Sequence, residues 1–276
     1  MQEQPVIAGA ASAAGQGGDV REDILCVHAR NNTVMLAQIQ TTVGLIYPPA
    51  CLSCGGAVDR HAGLCGPCWR DTAFIGGVVC DSCGIPLPGG SKGEVSHCDG
   101  CLAHPPPWVQ GRSAFLYADA GRKMVLALKH GDRQEIAKPA ALWMARAFRG
   151  KLPAETLVAP VPLHWQRLVK RRYNQSALLG RALARETGLA WCPDLLKRVR
   201  KTASLDGKSR IERFEILQDA IYAHPKRQHL MLGRPVLIVD DVMTSGATLF
   251  AAARACIDAG AGPIRVVTLA RVAKDT

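Results

Sequence analysis

Four Cys-x-x-Cys pairs between residues 51 and 101 are the feature that most restricts how this chain can fold. A Cys-x-x-Cys turn places two thiolates on one side of a tight knuckle, and two knuckles complete a tetrahedral shell of four sulfurs around Zn²⁺. Four such pairs in so short a segment rarely arise from packing alone. We therefore predict two structural zinc ions, and the predicted ligands are Cys51, Cys54, Cys65, Cys68, Cys80, Cys83, Cys98 and Cys101.

The spacing leaves the pairing of these knuckles open. Sequential pairing, in which the first two pairs bind one ion and the last two bind the other, is the simplest arrangement, and a cross-braced pairing also fits. A redox motif usually occurs as a single pair beside a βαβ unit, and the regular spacing favours zinc over an iron–sulfur cluster. Four thiolates per ion close the coordination shell, which is typical of a structural site.

The remainder of the chain has the composition of a globular protein with excess positive charge. Of 276 residues, 48% are hydrophobic, and the net charge is +11. Between His164 and Arg213 there are 13 Lys and Arg against 4 Asp and Glu, a local net charge of +9. Such a segment fits a surface that binds phosphates or nucleic acid, and it also fits an ordinary solvated basic face.

The sequence predicts neither membrane insertion nor export. It contains no run of eighteen apolar residues. The segment Gln2–Gly18 is rich in Ala, Gly and Gln and lacks the charged start and apolar block of a signal peptide. We therefore expect a cytoplasmic protein, in which paired cysteines bind metal more often than they form disulfides.

Composition divides the chain into three parts. Residues 1–30 are predicted to be a disordered tail. Residues 31–107 are predicted to contain a helix, Asn32–Tyr47, followed by the double zinc ribbon, and the run Pro105–Pro107 forms a stiff link. Residues 108–276 are predicted to form an α/β domain.

Alternating strand-like and helix-like segments indicate a mainly parallel sheet flanked by helices in the third part. Residues Arg200–Arg213 are polar and are predicted to form a mobile loop. The predicted strands are Ser113–Tyr117, Leu157–Val161, Leu195–Val199, Val236–Val239 and Ile264–Leu269. The predicted helices are Arg122–His130, Gln134–Phe148, Asn174–Thr187 and Thr244–Ala259.

The segment Val236–Leu249 carries the strongest functional pattern. An apolar strand ends in Asp240 and Asp241, at the sheet edge where α/β proteins bind ligands. Paired carboxylates suit the vicinal hydroxyls of a ribose and can also meet Mg²⁺. The hydroxyl-rich and glycine-containing turn into the next helix offers backbone N–H groups to a phosphate. The predicted phosphate ligands in this turn are Thr244, Ser245, Gly246, Ala247 and Thr248. A purely structural interpretation makes Asp241 a helix cap, which explains one acid but not two.

This segment resembles the phosphoribosyl pyrophosphate (PRPP) motif of type I phosphoribosyltransferases, and the chain from about Tyr47 to Ala270 resembles the ComF family, also called GntX-like or competence protein F. Besides the Asp-Asp motif, the resemblance is carried by the cysteine knuckles and by Pro48-Pro49-Ala50-Cys51, Lys129-His130-Gly131-Asp132, Pro160-Val161-Pro162-Leu163 and Arg171-Arg172-Tyr173-Asn174-Gln175.

The resemblance implies a type I phosphoribosyltransferase-like α/β domain behind a double zinc ribbon, with PRPP and Mg²⁺ bound at the acid pair. By analogy, Arg171, Arg172 and Asn174 belong to the pyrophosphate side of the site. Lys129 is expected either to reach a phosphate or to complement the dipole of its helix.

Four positions depart from the family pattern. Arg172 and Tyr173 stand where the family usually has Gly-Phe, Ser245 replaces a Thr, and Leu205 stands where many members carry Gln. The change at Leu205 puts a base contact from the mobile loop in doubt, whereas the predicted phosphate ligands are unaffected.

The resemblance also implies a role in natural transformation, with single-stranded DNA and a DNA-uptake helicase as partners. Two alternatives remain: a phosphoribosyltransferase that acts on a base or small acceptor, and a PRPP sensor without turnover. The zinc ribbon favours the role in natural transformation because a small-substrate enzyme needs no added interaction module. The intact acid pair keeps the phosphoribosyltransferase function open.

Overall fold

The computed structural model describes residues 48–89, 95–130, 133–148, 152–200, 209–217 and 219–273, all within one contact unit, Tyr47–Thr276. The predicted tail and the predicted helix Asn32–Tyr47 lie outside these ranges. The division of the chain at residues 107 and 108 therefore stays a prediction.

A five-stranded parallel sheet organises the described part of the chain. Its strand order is β1-β7-β6-β2-β3, and every neighbouring pair is parallel. The predicted fold class is confirmed. The strands of this sheet are β1 (Gln110–Leu116), β2 (Leu157–Pro160), β3 (Ala190–Trp191), β6 (Val236–Met243) and β7 (Ile264–Arg271).

Two further strands form a separate antiparallel pair, β4 (Leu196–Arg198) with β5 (Ile221–Ala223). The predicted strand Leu195–Val199 therefore exists but does not join the main sheet. The sequence did not predict its partner β5, because three residues carry too little periodicity to be recognised.

Helices pack on both faces of the parallel sheet. Leu237 and Val239 of β6 belong to the core that contains α3, α4 and α6, whereas Val236 and Ile238 belong to the core that contains α8. Alternate residues of a strand point to opposite faces, so β6 is buried on both sides. The helices are α1 (Gly66–Asp71), α2 (Asp99–Ala103), α3 (Asp119–His130), α4 (Ala137–Ala147), α5 (Trp165–Arg171), α6 (Gln175–Thr187), α7 (Arg210–Leu217) and α8 (Ala247–Asp258), with 3-10 turns at Gln134–Ile136 and Gln228–Leu230.

Helix α7 corrects one sequence prediction. The predicted loop Arg200–Arg213 ends earlier, because Ser209 and Glu212 form a capping box that starts a helix at Arg210: the Glu212 backbone N–H donates to the Ser209 hydroxyl (3.3 Å), and the Ser209 N–H donates to the Glu212 carboxylate (2.7 Å). Residues 201–208 of that loop lie outside the described ranges.

The ribbon packs directly on the first strand of the sheet. A Cβ added to Gly111 of β1 would lie 2.3 Å from the carbonyl oxygen of Ser82, and one added to Gly84 would lie 3.1 Å from the Cα of Arg112. Gly84 also has a φ of +71°, which favours glycine. The third cysteine knuckle and β1 can approach this closely only because both positions lack side chains.

Candidate functional site

The eight paired cysteines form two clusters. The first zinc site contains Cys51, Cys54, Cys65 and Cys68, and the second zinc site contains Cys80, Cys83, Cys98 and Cys101; within each, the Sγ atoms all lie within 4.8 Å of one another. The Sγ atoms of Cys54 and Cys65, and those of Cys83 and Cys98, are 3.7 Å apart. A tetrahedral Zn²⁺ with Zn–S bonds of about 2.3 Å requires a spacing of about 3.8 Å between sulfurs. The geometry fits two structural zinc ions with sequential pairing.

The two predicted acids lie in the carboxyl-terminal half of β6, which extends beyond the predicted strand to Met243. Asp240 accepts a hydrogen bond from the Ser176 hydroxyl (2.7 Å) and another from the Asp241 backbone N–H (2.9 Å). Asp241 is 8% exposed and pairs with Lys129, whose Nζ lies 3.3 Å from its Oδ1. The structure thus brings together the acid pair, Lys129 and Ser176. Of these residues, only Ser176 was not singled out from the sequence.

Burial and the adjacent charge of Asp241 raise the pKa of Asp240 to about 7. The hydrogen bond from Ser176 and the charge of Lys129 oppose this shift. Asp240 is therefore close to its point of half-protonation at neutral pH, and a bound cation would favour its ionised form.

Lys129 is held at the acids by the junction between α5 and α6. The Tyr173 hydroxyl donates to the Leu128 carbonyl (2.7 Å), and Gln175 Nε2 donates to the Lys129 carbonyl (3.4 Å). These are terminal carbonyls of α3, which have no partner within their own helix. The same junction positions Ser176 against Asp240, so one short segment orients both sides of the acid pair.

Asn174 caps α6. Its Oδ1 accepts from the Ser176 N–H (3.0 Å), and its Nδ2 donates to the Val161 carbonyl that follows β2 (3.0 Å). Arg171 Nη1 lies 3.4 Å from Gln175 Oε1, and Arg172 is exposed with a φ of +65° at the end of α5. Of the predicted pyrophosphate ligands, Asn174 uses its side chain to hydrogen-bond backbone groups of the junction, and Arg171 and Arg172 lie at the surface of the junction.

The β6–α8 loop, Thr244–Gly246, follows the acids directly. Gly246 has a φ of +81° and occupies the N-cap position of α8 without a side-chain cap. The Ala247 N–H donates to the Ser245 hydroxyl (3.4 Å). Thr248 lies in the first turn of α8, where backbone N–H groups lack helical partners and attract anions.

Three arginines near this loop and the acids were not predicted. Arg213 of α7 donates from Nη1 to the Thr244 hydroxyl (3.1 Å), and Arg271 of β7 donates from Nη1 to the Thr244 carbonyl (2.7 Å). Burial and the charge of Arg167 lower the pKa of Arg198 to about 10, while Asp240 opposes that change. No local pattern marks them, since these contacts join residues far apart in the sequence.

Helix α5 presents an exposed surface beside the same sheet edge. Trp165 is 64% exposed, Leu168 42% and Val169 73%. Residues 164–174 contain four Lys and Arg and no acid. We call this the α5 surface, and it follows the carboxyl end of β2, the neighbour of β6.

A cavity of about 680 Å³ lies between α7, β5 and α8, and it reaches Ala247 at the start of α8. Neither Asp240 nor Asp241 lines it. The acid pair therefore does not belong to this cavity. No helix among the described residues is long and apolar enough to cross a membrane.

Comparisons with known proteins extend over most of the chain. Residues 42–102 match the double zinc ribbon domain family. The chain is similar to the DNA utilization protein YhgH of Salmonella typhi, with 34% identity over 82% of this chain and 99% of the relative, and to its counterpart in Escherichia coli K12, with 32% identity over 76% and 91%. Competence protein F of Haemophilus influenzae is 28% identical over 80% and 96%. Among solved structures, an adenine phosphoribosyltransferase from Thermoanaerobacter pseudethanolicus matches 54% of this chain and 86% of its own, with 17% identity and a TM-score of 0.33.

Proposed function

The chain belongs to the ComF family, the family of the DNA utilization protein YhgH and competence protein F, and we propose that it binds PRPP with Mg²⁺ at the acid pair and acts in DNA uptake by handling single-stranded DNA. The observation that supports PRPP binding is the order of groups at the end of β6: two acids, a hydroxyl-rich loop and an uncapped helix start. The observation that supports the handling of single-stranded DNA is the α5 surface.

Each part of PRPP has a matching group. Vicinal ribose hydroxyls need paired acceptors, which Asp240 and Asp241 supply. The 5′-phosphate needs several donors at close range, and the backbone N–H groups between Ser245 and Thr248 supply them. Gly246 allows the close approach because it has no side chain.

Oxygen donors are the ligands that Mg²⁺ prefers, and Asp240 and Asp241 are the carboxylates that would hold it, directly or through water. A bound Mg²⁺ would neutralise pyrophosphate charge. Lys129, which pairs with Asp241, and Arg213, which donates to the Thr244 hydroxyl, are two cations beside these groups. Both can exchange their present partners for phosphate oxygens when the ligand enters.

The α5 surface has the composition of a single-strand binding site. Exposed aromatic rings stack on bases of any identity, and adjacent cations follow the phosphate backbone. Trp165 supplies the ring, and Arg167, Arg171 and Arg172 supply positive charge. Helix α5 follows the carboxyl end of β2, and the acid pair lies near the carboxyl end of the adjacent parallel strand β6. A DNA strand on the α5 surface would therefore run past the PRPP site.

A second function is supported by the acid pair itself. A phosphoribosyltransferase that acts on a base or small acceptor would join an acceptor atom to the anomeric carbon of PRPP while the bond to pyrophosphate breaks, and the acceptor proton would leave to a base or to water. Asp240, whose pKa is raised to about 7, is suited to hold a proton near this reaction. Such an enzyme would release pyrophosphate from PRPP and would have little affinity for DNA.

The proposed DNA role is tested by fluorescence anisotropy of a labelled oligothymidylate. We expect Trp165→Ala to weaken binding roughly tenfold, the loss expected for one base–aromatic stack. Affinity should also fall steeply with salt, because cations contact the phosphates. Trp69→Ala is the matched control, since Trp69 is a half-exposed tryptophan in the ribbon. Equal effects of the two substitutions would show that the α5 surface is not the DNA site, and no binding by the unaltered protein would remove DNA from the proposed function.

A further inference from the structure

We propose that the cavity between α7, β5 and α8 is a second binding site, and that its ligand is a small organic cation with an apolar body. The volume of about 680 Å³ lies within the range of cavities that hold small molecules. Neither acid of the pair lines this cavity, so the inference is independent of PRPP binding. The small side chains of α8, an aromatic wall and the charge of the lining define the ligand.

Small side chains on α8 keep the cavity open. Alanine occupies every fourth position from the start of α8 to its C-cap residue, and residues four apart share one face of a helix. All four alanines line the cavity: Ala247, Ala251, Ala255 and Ala259. The buried core between α7 and α8 is correspondingly small and consists of Leu217, Ala220 and Ala247. Larger side chains would fill the gap and bury more apolar surface, so packing alone does not explain the hollow.

Three aromatic side chains from three different elements line the same space. They are Phe214 of α7, Tyr222 of β5 and Phe250 of α8. The ring centroids of Phe214 and Phe250 are 5.1 Å apart, with the ring planes at 72°. Tyr222 remains 47% exposed. Aromatic rings in such an arrangement enclose an apolar group, and their faces attract a cation.

The charge of the lining is opposite to that of the whole chain, which is +11. Among the described residues, the acids that line the cavity are Glu215, Asp219 and Asp258, against the single cation Arg254. Arg254 Nη2 lies 3.3 Å from Asp258 Oδ1, so these two charges compensate each other. Glu215 and Asp219 are exposed and form no ion pair within the described part of the chain. Two uncompensated carboxylates therefore lie beside the aromatic wall.

The combination selects the class of ligand. An ammonium or guanidinium group complements the two carboxylates and the aromatic faces, whereas a phosphate would be repelled by the carboxylates. An alkyl or aryl body complements the alanines and the phenylalanines. The ligand class is therefore an alkylamine or arylalkylamine, which differs in charge from both PRPP and DNA.

Three probes that share one body and differ only in charge test this assignment: 4-phenylbutylammonium, 4-phenylbutan-1-ol and 4-phenylbutanoate. Titration of each probe into the zinc-loaded protein, followed by NMR, gives the three affinities. We expect the ammonium to bind about tenfold more tightly than the alcohol, because cation–π contacts and partly screened carboxylates add to the apolar contact. The carboxylate should bind most weakly, although the net charge of the chain attracts anions.

Two variants separate the shape of the cavity from its charge. Ala251→Leu fills the hollow, and we expect it to abolish binding of the ammonium and of the alcohol without lowering the melting temperature. Glu215→Gln/Asp219→Asn should weaken the ammonium to the affinity of the alcohol and leave the alcohol unchanged. This second variant decides the charge assignment even if Ala251→Leu does not fold.

Glu155→Gln/Glu186→Gln is the matched control. It removes two exposed carboxylates that do not line the cavity, so the net charge changes equally and the ammonium should bind as it does to the unaltered protein. The proposal is overturned if the unaltered protein binds none of the probes, if the alcohol binds as tightly as the ammonium, or if folded Ala251→Leu still binds. An equal loss of affinity in the two double variants would also overturn it. No PRPP is present in these titrations, so a failure of the proposed function is measured separately.

Discussion

At the residue scale, the solvation of Asp240 governs the chemistry of the acid pair. Its carboxylate accepts two hydrogen bonds, which favour the charged form, but burial and the neighbouring Asp241 outweigh them and raise its pKa to about 7. The electrostatic free energy of the site is thus highest when both carboxylates are ionised and no cation is bound. A cation that binds both carboxylates lowers this free energy, so ligand binding and deprotonation of Asp240 are linked.

The pKa of Asp240 predicts how stability varies with pH. In the folded protein the group retains its proton up to about pH 7, whereas in the unfolded chain its pKa is near the ordinary aspartate value of 3.8. The folded state therefore binds more protons between these values, and its stability falls as pH rises through that window. Asp240→Asn removes this dependence. We expect the free energy of unfolding of the variant minus that of the unaltered protein to be about 1–2 kcal/mol higher at pH 8 than at pH 5.5, because only the unaltered protein loses stability as the pH rises.

Urea unfolding without Mg²⁺ at these two pH values measures the difference. Asp258→Asn is the control, because Asp258 is an exposed carboxylate of α8 in an i, i+4 pair with Arg254. A difference between the two pH values that is no larger for Asp240→Asn than for Asp258→Asn would show that Asp240 titrates normally.

The sequence identified the acids, the loop and the cysteines because each set is contiguous or regularly spaced. Ser176, Arg213 and Arg271 were missed because their partners lie 64, 31 and 27 positions away. Such contacts depend on the packing of β6 against α6 and β7 and of α7 against α8. A single sequence contains no local pattern that reports them.

At the element scale, the contact between the third cysteine knuckle and β1 determines where the ribbon sits. The Gly111 N–H donates to the Asp81 carbonyl (2.8 Å), and the missing Cβ of Gly111 leaves room for the Ser82 carbonyl. The knuckle is therefore fixed to the sheet by backbone, and only a very small residue at position 111 permits the contact.

Gly111→Ala should separate the knuckle from β1, because the new Cβ would meet backbone at 2.3 Å. We expect a loss of roughly 1–3 kcal/mol in the free energy of unfolding, the usual cost of overpacking. Gly76→Ala is the control, since a Cβ there would meet no atom within 4 Å. Denaturant unfolding of both variants in the zinc-loaded state gives the comparison. Equal stability of the two variants would contradict the close contact.

Helices and strands with strong periodicity could be predicted, and short ones could not. The helix predicted at Asn174–Thr187 begins at Gln175 with Asn174 as its N-cap and ends at Thr187 with Gly188 as its C-cap. The helix predicted from Thr244 begins only at Ala247, because β6 continues to Met243 and Gly246 turns the chain. Strands β3 and β5 have two and three residues, and their existence depends on pairing with β2 and β4.

At the scale of the whole molecule, the parallel sheet places the two proposed binding surfaces at one edge. The carboxyl ends of β2 and β6 carry the α5 surface and the acid pair, and the second zinc site packs beside the β6–α8 loop. Alternating elements and the four cysteine pairs were enough to predict the presence of a zinc ribbon and of a parallel α/β sheet. The packing of the second zinc site beside the β6–α8 loop could not be predicted, because it depends on contacts between residues that lie far apart in the sequence.

The central claim is that the end of β6 binds PRPP with Mg²⁺, and calorimetric titration of PRPP into the zinc-loaded protein tests it most directly. We predict binding of one PRPP per chain that requires Mg²⁺. Binding should weaken by at least about a hundredfold in the double variant Asp240→Asn/Asp241→Asn, which loses charge-assisted contacts to both the ribose and the metal. It should persist in the Asp258→Asn control. No heat of binding with the unaltered protein, or equal binding by the double variant, would contradict the account.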